Sequence, residues 1–160
     1  MKLAWDEIGK KEYETGISSV ALYVYRNGAY QKGVAWSGVT GVSEAPSGAQ
    51  KTALYANNAK YLDLISPETY DGTIKAYMSP AEFDECDGVV ELAKGINIRQ
   101  QDRKPFGLAY KSIIGNDTEG DSHGYKIIIV YGCLASPSSK DHNTVNESPS
   151  ANELSWEFST

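Results

Sequence analysis

The chain is short of nearly everything that builds a catalytic or nucleic-acid-binding site. Its 160 residues include two cysteines and two histidines. Two cysteines cannot make the dense framework of a disulfide-stapled domain. Cys86 and Cys133, far apart in sequence, read first as buried free thiols, with a disulfide or a metal pair as the alternatives. Neither His123 nor His142 stands at ligand spacing with a second histidine or a cysteine, which argues against a zinc site. His123 falls in a turn rich in glycine and acid and reads as an exposed loop histidine. Basic residues are also scarce: 15 against 21 acids, for a net charge of −6. No basic cluster exceeds Arg99-Gln-Gln-Asp-Arg103-Lys104, so tight binding of nucleic acid through phosphate neutralisation is not expected. That run reads as a solvated loop or as a charge-paired contact with a partner.

Long apolar runs are missing as well. No stretch of 18 apolar residues exists, and Met1-Lys-Leu-Ala-Trp-Asp-Glu7 has no hydrophobic signal core. The expectation is a protein made in a cytoplasm and kept soluble, with no membrane insertion. The sequons Asn116-Asp-Thr118 and Asn146-Glu-Ser148 then read as chance. Enzyme signatures are lacking too: no nucleophile elbow, no Walker loop, no Gly-x-Gly-x-x-Gly fingerprint. Asp117, Glu119 and Asp121 alternate as oxygen ligands can. Gly120, however, is misplaced for an EF-hand loop and no glutamate follows at the twelfth position, so a charged, soluble hairpin tip is expected. Glu82, Asp84, Glu85 and Asp87 cluster on what reads as the wet side of a short helix rather than as a glycosidase pair. No enzyme, cofactor or metal is expected.

What the chain does contain is strand. Eleven tyrosines against three phenylalanines suit half-buried sheet and interface positions, where a ring packs and a hydroxyl stays wet. Phe106–Leu134 reads as strand, acidic turn at Asn116–Gly124, and returning strand. Ile127 to Val130 is apolar at consecutive positions, which predicts cover on both faces, by a second sheet, a helix or another copy of the chain. Gly16–Tyr25 is a further strand, closed by Asn27-Gly28, a type I′ hairpin signal. Val34, Trp36 and Val39 on the return are core candidates. Thr69–Met78 and Gly95–Arg99 read as strands, Ser136–Pro149 as an irregular connection, and Leu154, Trp156 and Phe158 alternate cleanly with Ser155 and Glu157. Ser43–Asn58, with Pro46 and Gly48 and few large apolar residues, predicts a long loop or an extended hairpin arm that is not packed structure. Helix signals concentrate at Ser79-Pro80-Ala81-Glu82, where a cap, a first-turn proline and a capping-box carboxylate predict a short α-helix over about Pro80–Asp87, ended by Gly88. The fold class is therefore mainly β: one domain over 1–160, an antiparallel β-sandwich or barrel with one short flanking helix.

Several blocks in order carry a resemblance across nearly the whole chain. They are Trp5-Asp6, Tyr13-Glu-Thr-Gly16, Lys32-Gly-Val-Ala-Trp36-Ser-Gly38, Ser43-Glu-Ala-Pro-Ser-Gly48, Leu54-Tyr-Ala-Asn-Asn58 and Lys60-Tyr-Leu62. They continue with Glu82-Phe-Asp-Glu-Cys-Asp-Gly88, Phe106-Gly-Leu108, Ile114-Gly-Asn-Asp-Thr-Glu-Gly120, His123-Gly-Tyr-Lys126, Ser148-Pro149 and Ser155-Trp-Glu157. Together they resemble the major tail protein, or tail tube protein, of long-tailed non-contractile bacteriophages of Gram-positive hosts. The resemblance implies a β-sandwich flanked by a helix, self-assembling into stacked, generally hexameric rings. Those rings form the virion's tail tube around a tape-measure protein, bounded by tail terminator and tip proteins, and later conduct double-stranded DNA non-specifically through the lumen. It implies a long loop reaching an adjacent subunit or ring, here Pro46, Ser47, Gly48, Leu54, Tyr55, Asn57 and Asn58, expected to be mobile in the monomer and to order on stacking. Asp117, Glu119 and Asp121 would form a turn facing the next ring. Some relatives carry a C-terminal immunoglobulin-like domain, which is not expected here. The acidic subunit would repel phosphates from the tube wall. A free-standing carbohydrate-binding β-sandwich is the competing class, with Trp36, Tyr55 and Tyr61 as sugar-stacking candidates.

Overall fold

Runs of β-branched and aromatic residues broken by Gly and Asn pairs form twelve strands in the computed structural model, which describes residues 3–142, 144 and 150–160. They are β1 (Glu12–Arg26), β2 (Ala29–Tyr30), β3 (Val34–Ala35), β4 (Val39–Gly48), β5 (Lys51–Ala56), β6 (Ala59–Ile65), β7 (Glu68–Ala76), β8 (Val90–Ala93), β9 (Ile96–Ile98), β10 (Phe106–Asn116), β11 (Gly120–Ala135) and β12 (Leu154–Ser159). Every pairing is antiparallel. One sheet runs β2-β1-β10-β11-β12-β7-β4, with β3 also on β1, while β5-β6 and β8-β9 are separate two-stranded ribbons. The Asn27-Gly28 turn has both residues at positive φ, 51° and 82°, as a type I′ turn requires.

The main sheet does not close into a barrel among the described residues; it turns back on itself as an open sandwich. Gly132 (φ 72°) lies at the register shift between Leu108↔Val130 and Phe106↔Cys133. β11 pairs with β10 as far as Cys133, and then Leu134 and Ala135 pair with Ser159 and Phe158 of β12. Alternation then brings Leu22, Val24, Leu108 and Val130 from one half against Ile74, Trp156 and Phe158 from the other. Trp36, Phe83 and Phe106 fill one end, with ring centroids 4.6 Å apart for Trp36–Phe83 and 5.4 Å for Phe83–Phe106. Trp36 anchors itself by donating its indole N–H to the Met78 carbonyl at 2.8 Å. Cys86 and Cys133 are free and buried, and burial pushes each thiol up to about 12. They are the inert buried thiols the sequence predicts.

Three expectations change in detail. The short helix is a 3-10 turn, Ala81–Phe83, with Pro80 at its cap position and no side-chain capping bond, so Ser79 does not cap. The Asp87 N–H reaches the Phe83 carbonyl (3.0 Å) and the Val89 N–H reaches Asp84 (2.8 Å), which closes the segment in a single wide turn. With Phe83 and Cys86 fully buried, core packing on two side chains sets the local geometry, and the capping signals have no second turn to support. The turn of the Phe106–Leu134 hairpin is also shorter than Asn116–Gly124. Asn116 already pairs with Gly120, and Gly120–Gly124 belong to β11. Finally, Ile127–Val130 is not covered on both faces within one chain. Val130 is buried and Ile128 half-buried, but Ile127 and Ile129 are exposed. The sequon at Asn146 and the Ser148-Pro149 block lie outside the described residues.

Candidate functional site

β11 has sixteen residues, and its second edge is largely bare. One edge pairs with β10 along its length, from Gly120 to Cys133. The other edge meets β12 only at Leu134 and Ala135. Upstream of them it has no strand against it among the described residues, so a row of backbone donors and acceptors stays unpaired. Alternation sets the side chains beside this edge. Ile128 and Val130 point to the core, while Tyr125, Ile127, Ile129 and Tyr131 lie 58–73% exposed on the opposite face. On that face the facing strand contributes Ala109, Lys111 and Ile113. Its one charge is in use: Lys111 Nζ lies 4.1 Å from the Tyr125 ring centroid, a cation–π contact. An apolar stripe next to a bare edge is a template for strand addition.

The second element is the arm. β4 pairs with β7 out to Gly48↔Glu68, and β5 with β6 from Lys51↔Ile65 to Ala56↔Ala59. Of the alternatives the sequence left, the arm holds and the loop does not. Pro46, Ser47 and Gly48 form the end of β4, Leu54 and Tyr55 lie on β5, and Asn57 and Asn58 make the tip with φ of 52° and 61°. Gly48 marks the joint between the two ribbons at φ 96°, where a Cβ would sit 2.2 Å from the Pro67 carbonyl oxygen; only glycine fits. Beyond the joint Tyr55, Tyr61, Leu64 and Ile65 are exposed, and Leu54 and Leu62, cross-strand partners, are also open. The sequence offered a long loop or a hairpin arm over Ser43–Asn58, without a joint at Gly48. It did not show that the flanking strands would pair only with each other and leave their apolar side chains bare.

The acidic turn is occupied within the chain. Asp117 accepts the Gly9 N–H at 2.9 Å, Asp121 accepts the Tyr13 hydroxyl at 3.2 Å, and Glu119 meets His123 Nδ1 at 2.9 Å. Glu12 stands 3.5 Å from His123 Nε2. The hydrogen bond to Glu119 is the chief cause of a raised His123 pKa, and burial opposes it. Among the described residues no three His, Cys, Asp or Glu side chains gather as a metal site. A polar cleft of about 500 Å³ opens between the halves, lined by Glu14, Glu44, Tyr110, Ser112 and Lys126 among others. Its groups satisfy one another. Ser112 donates to Glu14 at 2.6 Å, Lys126 pairs with Glu14, and Tyr110 donates to Glu44. Hydrogen bonds from Lys126 and Ser112 lower the Glu14 pKa, while burial and then Glu44 raise that of Tyr70.

Trp36 is 3% exposed and so offers no ring to a sugar, because its packing on Phe83 and Trp156 uses both flanks. No family model and no curated protein matches the chain.

Proposed function

We propose that the protein is a structural subunit that assembles with copies of itself into rings and a tube, the tail tube of a long-tailed bacteriophage virion. The observation that carries the proposal is the bare edge of β11 beside the exposed Tyr125–Tyr131 stripe. A long, flat, apolar edge is an aggregation hazard in a monomer, and a partner strand removes the hazard. A copy of this chain supplies one: among the described residues β1 is covered on its outer side by β2, β3 and the Trp36 N–H only from Val20 onward, so its Glu12–Ser18 portion is a second open edge. Joining two different edges is a heterologous contact, and such contacts close into rings when the rotation permits. The arm, apolar and unpacked on its own chain, would reach a neighbouring subunit. The net charge of −6 disfavours adhesion of DNA to the tube wall. On this reading the partners are further copies, a tape-measure protein inside, terminator and tip proteins at the ends, and passing double-stranded DNA. The subunit has no catalytic role.

The test is assembly. Wild-type protein is expected to form rings or tubes in negative-stain electron microscopy. Ile127→Lys with Ile129→Lys, both at exposed positions, should stay folded by circular dichroism and sediment as a monomer. Tubes from the double variant would overturn the edge contact. A dispersed wild-type monomer that binds glycans through Tyr55 and Tyr61 would favour the carbohydrate-binding class instead.

A further inference from the structure

Two more apolar surfaces are open, at opposite ends of the β1–β10 pair. The first is the segment before β1, where Leu3, Trp5 and Ile8 are 71%, 79% and 84% exposed. Among the described residues it is hydrogen-bonded to the sheet only at its end. The Gly9 N–H donates to Asp117 and the Gly9 carbonyl accepts from Asn116 Nδ2, which fixes it beside the Asn116 end of β10. The second surface is the β8–β9 hairpin. Val90 pairs with Ile98, and Ile96 lies two residues from Ile98, so the three share one face, with Leu92 at the bulge beside them. All four are 42–70% exposed. This hairpin is rooted at the other end of β10. The Gln101 N–H meets the Gly88 carbonyl, the Lys104 N–H meets Glu85, and Phe106 follows directly.

The eleven residues of β10 separate the two roots by about 33 Å at ~3.3 Å per residue. Trp5 lies four residues from the Gly9 anchor, a reach of at most about 14 Å. The segment therefore falls short of the root of its own hairpin, whereas a second copy placed end to end brings a hairpin within reach. The charges match. Asp6, next to Trp5, has no ion-pair partner among the described residues, and neither has Lys94 at the tip of the hairpin; Arg99 at its exit makes no direct ion pair but acts on Asp84 of its own chain. Opposite charges flanking two apolar patches set register as well as attraction, and a lysine or arginine can also lie over the Trp5 ring.

We propose that residues Leu3–Ile8 of one copy dock on the β8–β9 face of a second copy, with Asp6 toward Lys94 and Arg99, joining subunits head to tail. The contact deepens the tube reading by naming the axial contact, and it rests on that reading for its purpose in the assembly. The patch is small, so a single contact is weak and gains strength by repetition around a ring.

The experiment separates this contact from lateral pairing by working in the Ile127→Lys, Ile129→Lys background. An isotope-labelled subunit carrying Trp5→Ala keeps its hairpin but loses its segment; an unlabelled subunit carrying Ile96→Ser and Ile98→Ser keeps its segment but loses its face. Mixing the two is expected to shift the labelled amide resonances of 90–99. The shifts should vanish when the unlabelled subunit also carries Trp5→Ala, and Asp6→Lys should weaken binding several-fold. No shift on mixing, or shifts indifferent to Trp5→Ala, would overturn the proposal. Shifts in this mixture together with no rings or tubes from wild type would leave the contact standing and remove the tube reading. Tubes without shifts would do the reverse.

Discussion

Phe83 touches more of the aromatic core than any strand residue, although it lies on the one helical turn. It is fully buried and packs on Trp36, Phe106 and Trp156. Truncation removes a ring from a site that three other rings hold open. Phe83→Ala is therefore expected to cost about 3–5 kcal/mol in denaturant unfolding, and a loss below about 1 kcal/mol would show that the end of the sandwich collapses freely. His123 makes a pH-dependent contribution. Its protonated ring gains Glu119 and Glu12 as neighbours only in the folded chain, so its folded pKa lies above its unfolded one. The stabilisation is complete below the ordinary histidine value and is lost as pH rises through the raised one. Both carboxylates are exposed, so the effect is small. An NMR titration should place the His123 midpoint above that of the Glu119→Gln variant; equal midpoints would remove the pairing. At this scale the sequence was informative wherever a residue had one possible use. Leu154, Trp156 and Phe158, the two thiols and the Asn27-Gly28 turn all lie where the pattern put them. Trp36 is buried, which keeps its reading as a core candidate and removes its second reading as a sugar platform.

Among the elements, the arm is the one we propose to complete its packing on a neighbouring subunit. A two-stranded ribbon alone is marginal in water, and β5–β6 leaves Leu54, Leu62, Leu64 and Ile65 open. Replacing residues 50–66 by a two-residue Asn-Gly turn keeps the β4–β7 pairing and the core. The expected product is a folded monomer, unchanged in near-ultraviolet circular dichroism, that forms no tubes. Normal tubes by electron microscopy would take the arm out of assembly. A hairpin arm was one of two readings of Ser43–Asn58; the sequence did not choose it over a loop, since β5 and β6 show no clean alternation to fix a face. The capping signals at Ser79–Glu82 failed for the opposite reason. They were strong locally, but the two buried side chains that follow, Phe83 and Cys86, fixed the turn through tertiary packing.

For the whole molecule, the prediction that Ile127–Val130 would be covered on both faces and the finding that one face is bare describe the same strand at two levels of organisation. Continuous apolarity predicts cover without naming what supplies it, because another segment and another copy leave the same pattern. Among the described residues Ile127 and Ile129 stay exposed on one face, and the edge of β11 upstream of Leu134 and Ala135 has no strand against it.

That bare edge also bears on what a melting temperature means for this protein. Copies that bind one another only when folded draw the unfolding equilibrium toward the native side by mass action. The transition seen in a calorimeter should then climb as the protein is made more concentrated, and in the Ile127→Lys, Ile129→Lys variant the climb should be much smaller, because only the weak head-to-tail contact remains. Heat resistance would be a property of the population, set by how many neighbours each chain has.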